Sequence, residues 1–326
     1  MGFWEEIAVE HNGVPLPKSQ RALPTVILAA GRGLRLHNDS KGVPKPLMSL
    51  LGFTLLERAV LSCREAGITE CYVIVGYRSD LLIPYIEALM QRHGVSLHAV
   101  ENPHWQEGNG VSVLAASPYV RGTFLLLMCD HLFDPEILRL LTTAADSSEM
   151  TILAVDRHPE RLFDLAEATK VQLNGQKIAA IGKEIAPFDA VDTGLFLCQQ
   201  ELFKALESAR ATGDGTLTGG VRRMIAADKM RAVDIGDRFW FDVDTPADVQ
   251  QATRLLLAAV APSDEIVPGG RRLGLDRRKG QNQRQQHECG NKTEADSKRG
   301  KHSQAENPRV SGDLETAKTN NDPLES

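Results

Sequence analysis

The chain of 326 residues has no run near the roughly 18 apolar residues of a membrane-spanning helix, so a spanning segment is not expected. It also has no apolar leader: Glu5, Glu6 and Glu10 interrupt the first 24 residues, which predicts a cytoplasmic address. Its five cysteines are odd in number, scattered and without a C-x-x-C pair, which argues against a disulfide framework or a zinc knuckle. Positive charge is in deficit. Net charge is −6, and because residues 262–326 hold 12 Lys and Arg against 11 Asp and Glu, the first 261 residues carry −7. Non-specific nucleic-acid binders are usually basic, so nucleic acid is not expected as a partner, and any phosphate must be met by a few placed cations. Residues 262–326 have no Phe, Trp or Tyr and cannot bury enough apolar surface to offset their ordering entropy. They are expected to form a disordered polar tail, with Arg271, Arg272, Arg277, Arg278 and Lys279 as a solvated basic stretch.

What is present between residues 24 and 261 is an alternation of short apolar runs and helical stretches, the pattern of βαβ units and a mostly parallel sheet. Strands are expected at Thr25–Ala30, Cys71–Val75, Leu97–Val100, Phe124–Cys129, Met150–Val155 and Val191–Cys198. Thr54 and Glu57 have capping-box spacing and open a helix to about Gly67, with Leu55, Leu56, Val60 and Leu61 as its buried stripe. Asp134-Pro135 and Thr245-Pro246 open two more helices with Pro at the first helical position. Asn174-Gly175, between Lys170–Leu173 and Lys177–Ile181, predicts a two-residue hairpin turn. Residues 213–220 read as a mobile loop from which Thr218 caps a helix over Val221–Ala227, with a substrate lid as the lesser reading.

The sharpest segment is Leu28-Ala29-Ala30-Gly31-Arg32-Gly33-Leu34-Arg35, followed by Pro44-Lys45-Pro46-Leu47. A buried strand runs into small residues whose N–H groups can turn toward a phosphate chain. The third glycine of a dinucleotide fingerprint is replaced by Leu36 and no G-K-[ST] follows, so this is neither a dinucleotide fingerprint nor a Walker loop. Two cations, Arg35 and Lys45, sit close to the loop. An apolar strand ends in Asp130-His131 at the carboxyl edge of the sheet, where open α/β sheets bind ligands, and a carboxylate there suits Mg²⁺. A helix-capping Asp is the alternative. The acidic pair Asp242 and Asp244 precedes the Pro246 helix, where Asp244 could simply support the turn.

L-A-A-G-x-G-x-R followed by P-K-P-L resembles the signature of the sugar-phosphate nucleotidyltransferases, which join a nucleoside triphosphate to a sugar or alcohol phosphate. N-P-x-W-x-x-G-N-G-x-S, M-x-D-H-L-F, I-G-K, D-T-G-L-F-L-C and W-x-D-V-D-T-P are similar to inositol-1-phosphate cytidylyltransferases, across residues 25–255. The resemblance implies an α/β, Rossmann-like, mixed and mostly parallel sheet flanked by helices, the nucleotide-diphospho-sugar transferase or GT-A-like fold. It places that domain at residues 25–261, after an N-terminal extension over 1–24 and before the tail. It implies that Leu28, Ala29, Ala30, Gly31, Gly33, Gly108 and Asn109 hold the nucleotide. Arg35 falls where the family binds the distal phosphates, Lys45 where it bridges the α-phosphate and the attacking phosphate, and Lys183 where it contacts the acceptor phosphate. Asp130 and Asp242 fall on the two metal-binding aspartates, with Mg²⁺ as cofactor, and His131, Asp192 and Thr193 on the acceptor side. A turn before a helix at Val111–Ala116 is the competing reading of Gly108-Asn109-Gly110.

The residue set suits that chemistry. A phosphate monoester is already near-dianionic at neutral pH, with a second pKa of about 6, so attack needs no protein base. The obstacle is anion repulsion, on the order of 4 kcal/mol for two unit charges at about 4 Å and an effective dielectric of 20. Fixed cations and a metal lower it. The expected partners are CTP and a phosphorylated small-molecule alcohol. Many relatives fuse this domain to a membrane CDP-alcohol phosphotransferase, and its D-G-x-x-A-R signature does not occur here, so a separate chain is expected to consume the product. Asn109 alone does not separate cytosine from uracil, because its amide both donates and accepts. Phosphocholine cytidylyltransferase, sugar-1-phosphate uridylyl- or guanylyltransferase and a non-catalytic nucleotide-binding regulator stay open as alternatives. The sequence sets no oligomeric state.

Overall fold

The computed structural model describes residues 23–33, 35, 42–145 and 149–260, so the expectations for residues 1–22 and for the tail from 262 lie outside the described residues. The described chain runs as β1 (Thr25–Ala29), β2 (Ser49–Leu50), β3 (Phe53–Thr54), α1 (Leu55–Glu65), β4 (Glu70–Val75), α2 (Ser79–His93), β5 (Ser96–Glu101) and α3 (Asn109–Leu114). It continues with β6 (Phe124–Met128), β7 (His131–Phe133), α4 (Glu136–Ala145), β8 (Thr151–Asp156), β9 (Lys170–Asn174), β10 (Lys177–Gly182) and β11 (Ala190–Cys198). The last elements are α5 (Glu201–Ala211), α6 (Leu217–Ala226), β12 (Met230–Asp234), β13 (Trp240–Asp242) and α7 (Pro246–Val260).

The main sheet has the order β5-β4-β1-β6-β11-β8-β12-β10-β9. Its first four strands pair in parallel, whereas β11 is antiparallel to both β6 and β8, and β10 to both β12 and β9. Seven of the nine strands thus point one way, in a mixed α/β sheet. The start of β11 also pairs with β9, so β11, β8, β12, β10 and β9 close a ring of pairings.

Strand alternation divides the core. In β1, Ile27 and Ala29 face a cluster with Leu56 and Val60 of α1, Leu82 and Ile86 of α2 and Ile137 and Leu141 of α4. Val26 and Leu28 face the opposite cluster, with Leu202 and Leu206 of α5 and Val221 and Met224 of α6. There the rings of Phe124 and Phe203 stack at 5.1 Å, and burying each is worth roughly 2–3 kcal/mol. A third cluster ties Ala252 of α7 to Leu50, Leu55, Leu132 and Val243, and so fastens α7 beside the ends of β7 and β13.

Local rules explain most boundaries. The Thr54 hydroxyl accepts the Glu57 N–H at 3.0 Å and starts α1. The Glu57 side chain does not return to the cap: it accepts from Arg92, His93 and Tyr85 at 2.9, 2.8 and 3.0 Å, which satisfies a carboxylate buried to 3% exposure. Three expectations are corrected. The hairpin loop is Gly175-Gln176, one residue later than Asn174-Gly175, because Asn174 pairs with Lys177 and Gly175 takes the positive φ of 63°. Asn109 begins α3 rather than a turn before it. Helix α6 begins at Leu217 with Thr216, not Thr218, as its cap, because the Thr216 hydroxyl accepts the Gly219 N–H at 3.0 Å.

Candidate active site

Strand β1 is the place where successive connections leave in opposite directions, β4 lying on one side and β6 on the other, and such a switch point leaves a crevice beyond the carboxyl ends of the strands. The glycine-rich loop and Asp130 both emerge there. The buried residues Leu28, Ala29 and Ala30 are locked by their neighbours: the Leu28 carbonyl accepts from Cys129 N–H at 3.1 Å and the Ala30 carbonyl from Tyr77 N–H at 3.0 Å. Gly31 is exposed with open space where a Cβ would sit. Gly33 has a φ of 64°, and a Cβ there would lie 2.6 Å from the Cβ of Lys45. Glycine is therefore required where the loop crosses Lys45.

Lys45, in a single 3₁₀ turn after Pro44, is only 7% exposed. Its Nζ donates to Asp130 Oδ2 and, at 2.6 Å, to Asp244 Oδ1. Burial works against the ammonium, but Asp130, Asp242 and Asp244 outweigh it and hold the pKa well above the ordinary lysine value. Arg35 grips the other oxygen of Asp244 through Nη2 at 2.6 Å. Its Nη1 lies 3.4 Å from Glu167 Oε2, and the same oxygen accepts from Lys183 Nζ at 2.8 Å. The three cations singled out in the sequence thus stand in one chain of ion pairs, Lys183–Glu167–Arg35–Asp244–Lys45–Asp130.

Beside Lys45, β7 and β13 pair antiparallel with His131 opposite Asp242, which puts the two side chains on one face. His131 Nε2 is 3.5 Å from Asp242 Oδ1 and 3.8 Å from Asp130 Oδ1, while its Nδ1 is 2.7 Å from the Thr193 carbonyl. Burial opposes a charge on the imidazole, but Asp242 and Asp130 raise its pKa. Burial also opposes ionisation of Asp130, and Lys45 and His131 reverse this, leaving it below the usual carboxylate value. For Asp242 burial wins, against the pull of His131, and lifts the pKa to about 6. Its Oδ1 is buried with no hydrogen-bond partner. Ligand atoms of Asp130, His131 and Asp242 lie within 4.8 Å of one another. Two converging carboxylates, one with an orphaned oxygen, fit an oxygen-seeking divalent cation.

The remaining expected residues surround this centre. Asp192 begins the bulge of β11; its Oδ1 accepts the Gly194 N–H at 2.7 Å, and burial pushes its pKa up to about 6. The Thr193 side chain is fully buried and donates to the Ala154 carbonyl at 2.7 Å, so it is the Thr193 backbone that faces His131. The His131 ring lies on Gly194, where a Cβ would come within 2.3 Å of it. Gly108 and Asn109 stand at the start of α3, against the 215–217 segment. A Cβ on Gly108 would be 2.5 Å from the Gly215 carbonyl oxygen, and Asn109 Oδ1 accepts the Leu217 N–H at 2.8 Å, leaving its amide NH₂ for another partner. The Arg32 guanidinium lies 5.6 Å from the centre of the Tyr77 ring, which is edge-on to Trp105 at 5.7 Å, so the 105–109 segment and the glycine-rich loop share one edge of the crevice.

Two members were not singled out by sequence reasoning as parts of the cluster. Asp244 follows the end of β13, with its own N–H and that of Thr245 held by Asp248 Oδ2 at 3.1 and 2.7 Å; beyond supporting the turn, its carboxylate links Lys45 and Arg35. Its signal was the second acid of W-x-D-V-D-T-P. Glu167 carries no motif; it lies in the irregular segment between β8 and β9.

A profile of the MobA-like NTP transferase domain matches residues 25–234 of the chain. The chain belongs to this family. It is a nucleotidyltransferase, with the nucleotide-diphospho-sugar transferase fold. Similar curated proteins include two named bifunctional IPC transferase and DIPP synthase. The one from Rubrobacter xylanophilus is 35% identical over 73% of this chain and 53% of its own length. The one from Thermococcus kodakarensis is 32% identical over 71% and 50%. The chain thus spans about half the length of these relatives. The solved inositol-1-phosphate CTP transferase from T. maritima superposes with a TM-score of 0.64 at 29% identity, over 74% of this chain and all of that one. A UDP-glucose pyrophosphorylase complexed with UDP-glucose shares the fold at a TM-score of 0.61 and 17% identity. No helix among the described residues is long and apolar enough to cross a membrane.

Proposed function

We propose that this nucleotidyltransferase moves a cytidylyl group from CTP to inositol 1-phosphate, releasing pyrophosphate and forming CDP-inositol. The observation that carries the reading is the nearly buried Lys45 ammonium, held between Asp130 and Asp244 at the edge where the glycine-rich loop emerges. A buried lysine kept charged by carboxylates can bridge two phosphate groups that repel each other. The name of the solved relative, inositol-1-phosphate CTP transferase, supports CTP and inositol 1-phosphate.

In this reading the amides of Gly31 and Gly33 and the guanidinium of Arg35 take the triphosphate, while Gly108 and the free NH₂ of Asn109 take the base. An oxygen of the acceptor phosphate attacks the α-phosphorus, the bond to the bridging oxygen breaks, and pyrophosphate carries away the electron pair. No proton need be removed from a dianionic phosphate. Lys45 spans the two reacting phosphates, and Lys183 meets the acceptor phosphate. Asp130 and Asp242 would hold Mg²⁺, which supplies positive charge to the phosphates when bound. His131 and Asp192 line the acceptor side, with Thr193 acting through its carbonyl on His131. The product then needs a phosphotransferase that accepts a CDP-alcohol.

The test is a panel of four nucleoside triphosphates against inositol 1-phosphate, phosphocholine and hexose 1-phosphates, with magnesium, read as pyrophosphate release. CTP with inositol 1-phosphate is the pair expected to turn over fastest. Preference for phosphocholine or a hexose phosphate replaces the acceptor assignment. Absence of release with every pair leaves a nucleotide-binding regulator.

A further inference from the structure

Glu167 is the most exposed carboxylate in the chain of ion pairs. Its side chain is 56% exposed, and one oxygen, Oε2, faces both Arg35 and Lys183. These cations come from distant parts of the chain, Arg35 after the glycine-rich loop and Lys183 just after β10. The turn that carries Glu167 is closed by the Asp164 side chain, whose Oδ1 accepts the Glu167 N–H at 3.2 Å, and so does not depend on the Glu167 carboxylate. We propose that Glu167 is an internal competitor for substrate phosphate, its carboxylate occupying the place between Arg35 and Lys183 that an anionic phosphate group takes on binding.

The inference rests on the reading of Arg35 and Lys183 as phosphate ligands. An exposed carboxylate on a turn swings away at small cost, because exposed ion pairs are weak and screened. A phosphate dianion brings about twice the charge and three acceptor oxygens, so it displaces Glu167, whereas a monoanion gains little by doing so. Glu167 is therefore a positioning residue with two effects. It keeps the two cations paired before substrate arrives, and it lowers the apparent affinity of any anion for that place by the fraction of time that it fills it.

The experiment compares wild type with Glu167→Gln, Glu167→Asp and Glu167→Ala, titrating inorganic pyrophosphate by calorimetry, with circular dichroism to confirm the fold. The Gln variant keeps the shape and loses the charge. It is expected to bind pyrophosphate about three- to ten-fold more tightly, as does Ala, with the difference from wild type shrinking toward about 1 M salt. The Asp variant falls between wild type and Gln. The KM for the phosphorylated acceptor is expected to fall along with the pyrophosphate Kd. Unchanged or weaker pyrophosphate binding in folded Gln and Ala variants overturns the proposal and leaves Glu167 a latch for its loop. The titration needs no knowledge of the true substrates: if CTP and inositol 1-phosphate fail to react, it still decides the role of Glu167, and if they react while the Gln variant binds as wild type, this inference alone fails.

Discussion

Replacing Lys45 with Met keeps the length of the apolar stem and removes the ammonium on which the site turns. At 2.6 Å from Asp244 Oδ1 and an effective dielectric of 20, the gross attraction lost is about 6 kcal/mol for that contact alone. The cost of burying the lysine offsets part of this, and breaking a buried pair from one side leaves about 3–5 kcal/mol of destabilisation. The loss has a pH signature. In the wild type Lys45 holds Asp130 below the usual carboxylate pKa, a stabilisation present above that value and lost as pH falls through the folded one. Without Lys45 that stabilisation is missing, so the melting temperatures of wild type and variant stay apart above the ordinary carboxylate value of about 4 and converge only in stronger acid, as pH falls through the folded value of Asp130. Turnover is expected to fall by about 10³-fold or more, the range for removing a fixed positive group from a phosphoryl-transfer site. Adding Asp130→Asn to Lys45→Met restores part of the stability and none of the activity. Turnover of Lys45→Met within tenfold of wild type, or a loss of stability that does not shrink in acid, contradicts this role for Lys45.

Asp192, with its pKa raised to about 6, opposes folding as pH rises from the ordinary carboxylate value through 6, so Asp192→Asn is expected to stabilise the protein by about 1–3 kcal/mol near pH 8 and by little at pH 4, measured by denaturant titration. Gly33→Ala, which sets a Cβ against Lys45 at positive φ, is expected to cost about 1–3 kcal/mol and to lower kcat, whereas Gly31→Ala, with open space, changes stability by no more than about 0.5 kcal/mol in the same titration. Mg²⁺ is expected to raise the melting temperature of the wild type, and not of Asp242→Asn, in a thermal-shift assay without nucleotide.

The continuous apolar runs of β1 and β6 are legible as strands because both faces of the sheet are covered, and Thr54 and Pro246 mark helix starts through chemistry confined to a few residues. The antiparallel course of β11 is not legible, since a strand buried on both faces reads the same in either direction. The start of α6 is not legible, because the glycines at 219 and 220 look like loop; they are inside the helix, where a Cβ would strike Asp214 and Leu206. In the site, Arg35, Lys45, Asp130 and Asp242 announced themselves by standing at the ends of recognisable strands and loops. Glu167 did not, because its place depends on a contact across 132 residues with Arg35 and on a segment that lacks periodicity. Thr193 carried a hydroxyl into the acceptor reading, and only the packing against Ala154 shows that this hydroxyl is spent inside the sheet.

The most direct measurement is phosphorus NMR of the purified protein with CTP, inositol 1-phosphate and magnesium. The triphosphate and monoester resonances are expected to decay together, replaced in equal amounts by pyrophosphate and by the paired signals of an unsymmetrical diphosphate diester. A spectrum in which CTP is lost only to CDP or CMP and inorganic phosphate, with the monoester untouched, would contradict the proposed reaction.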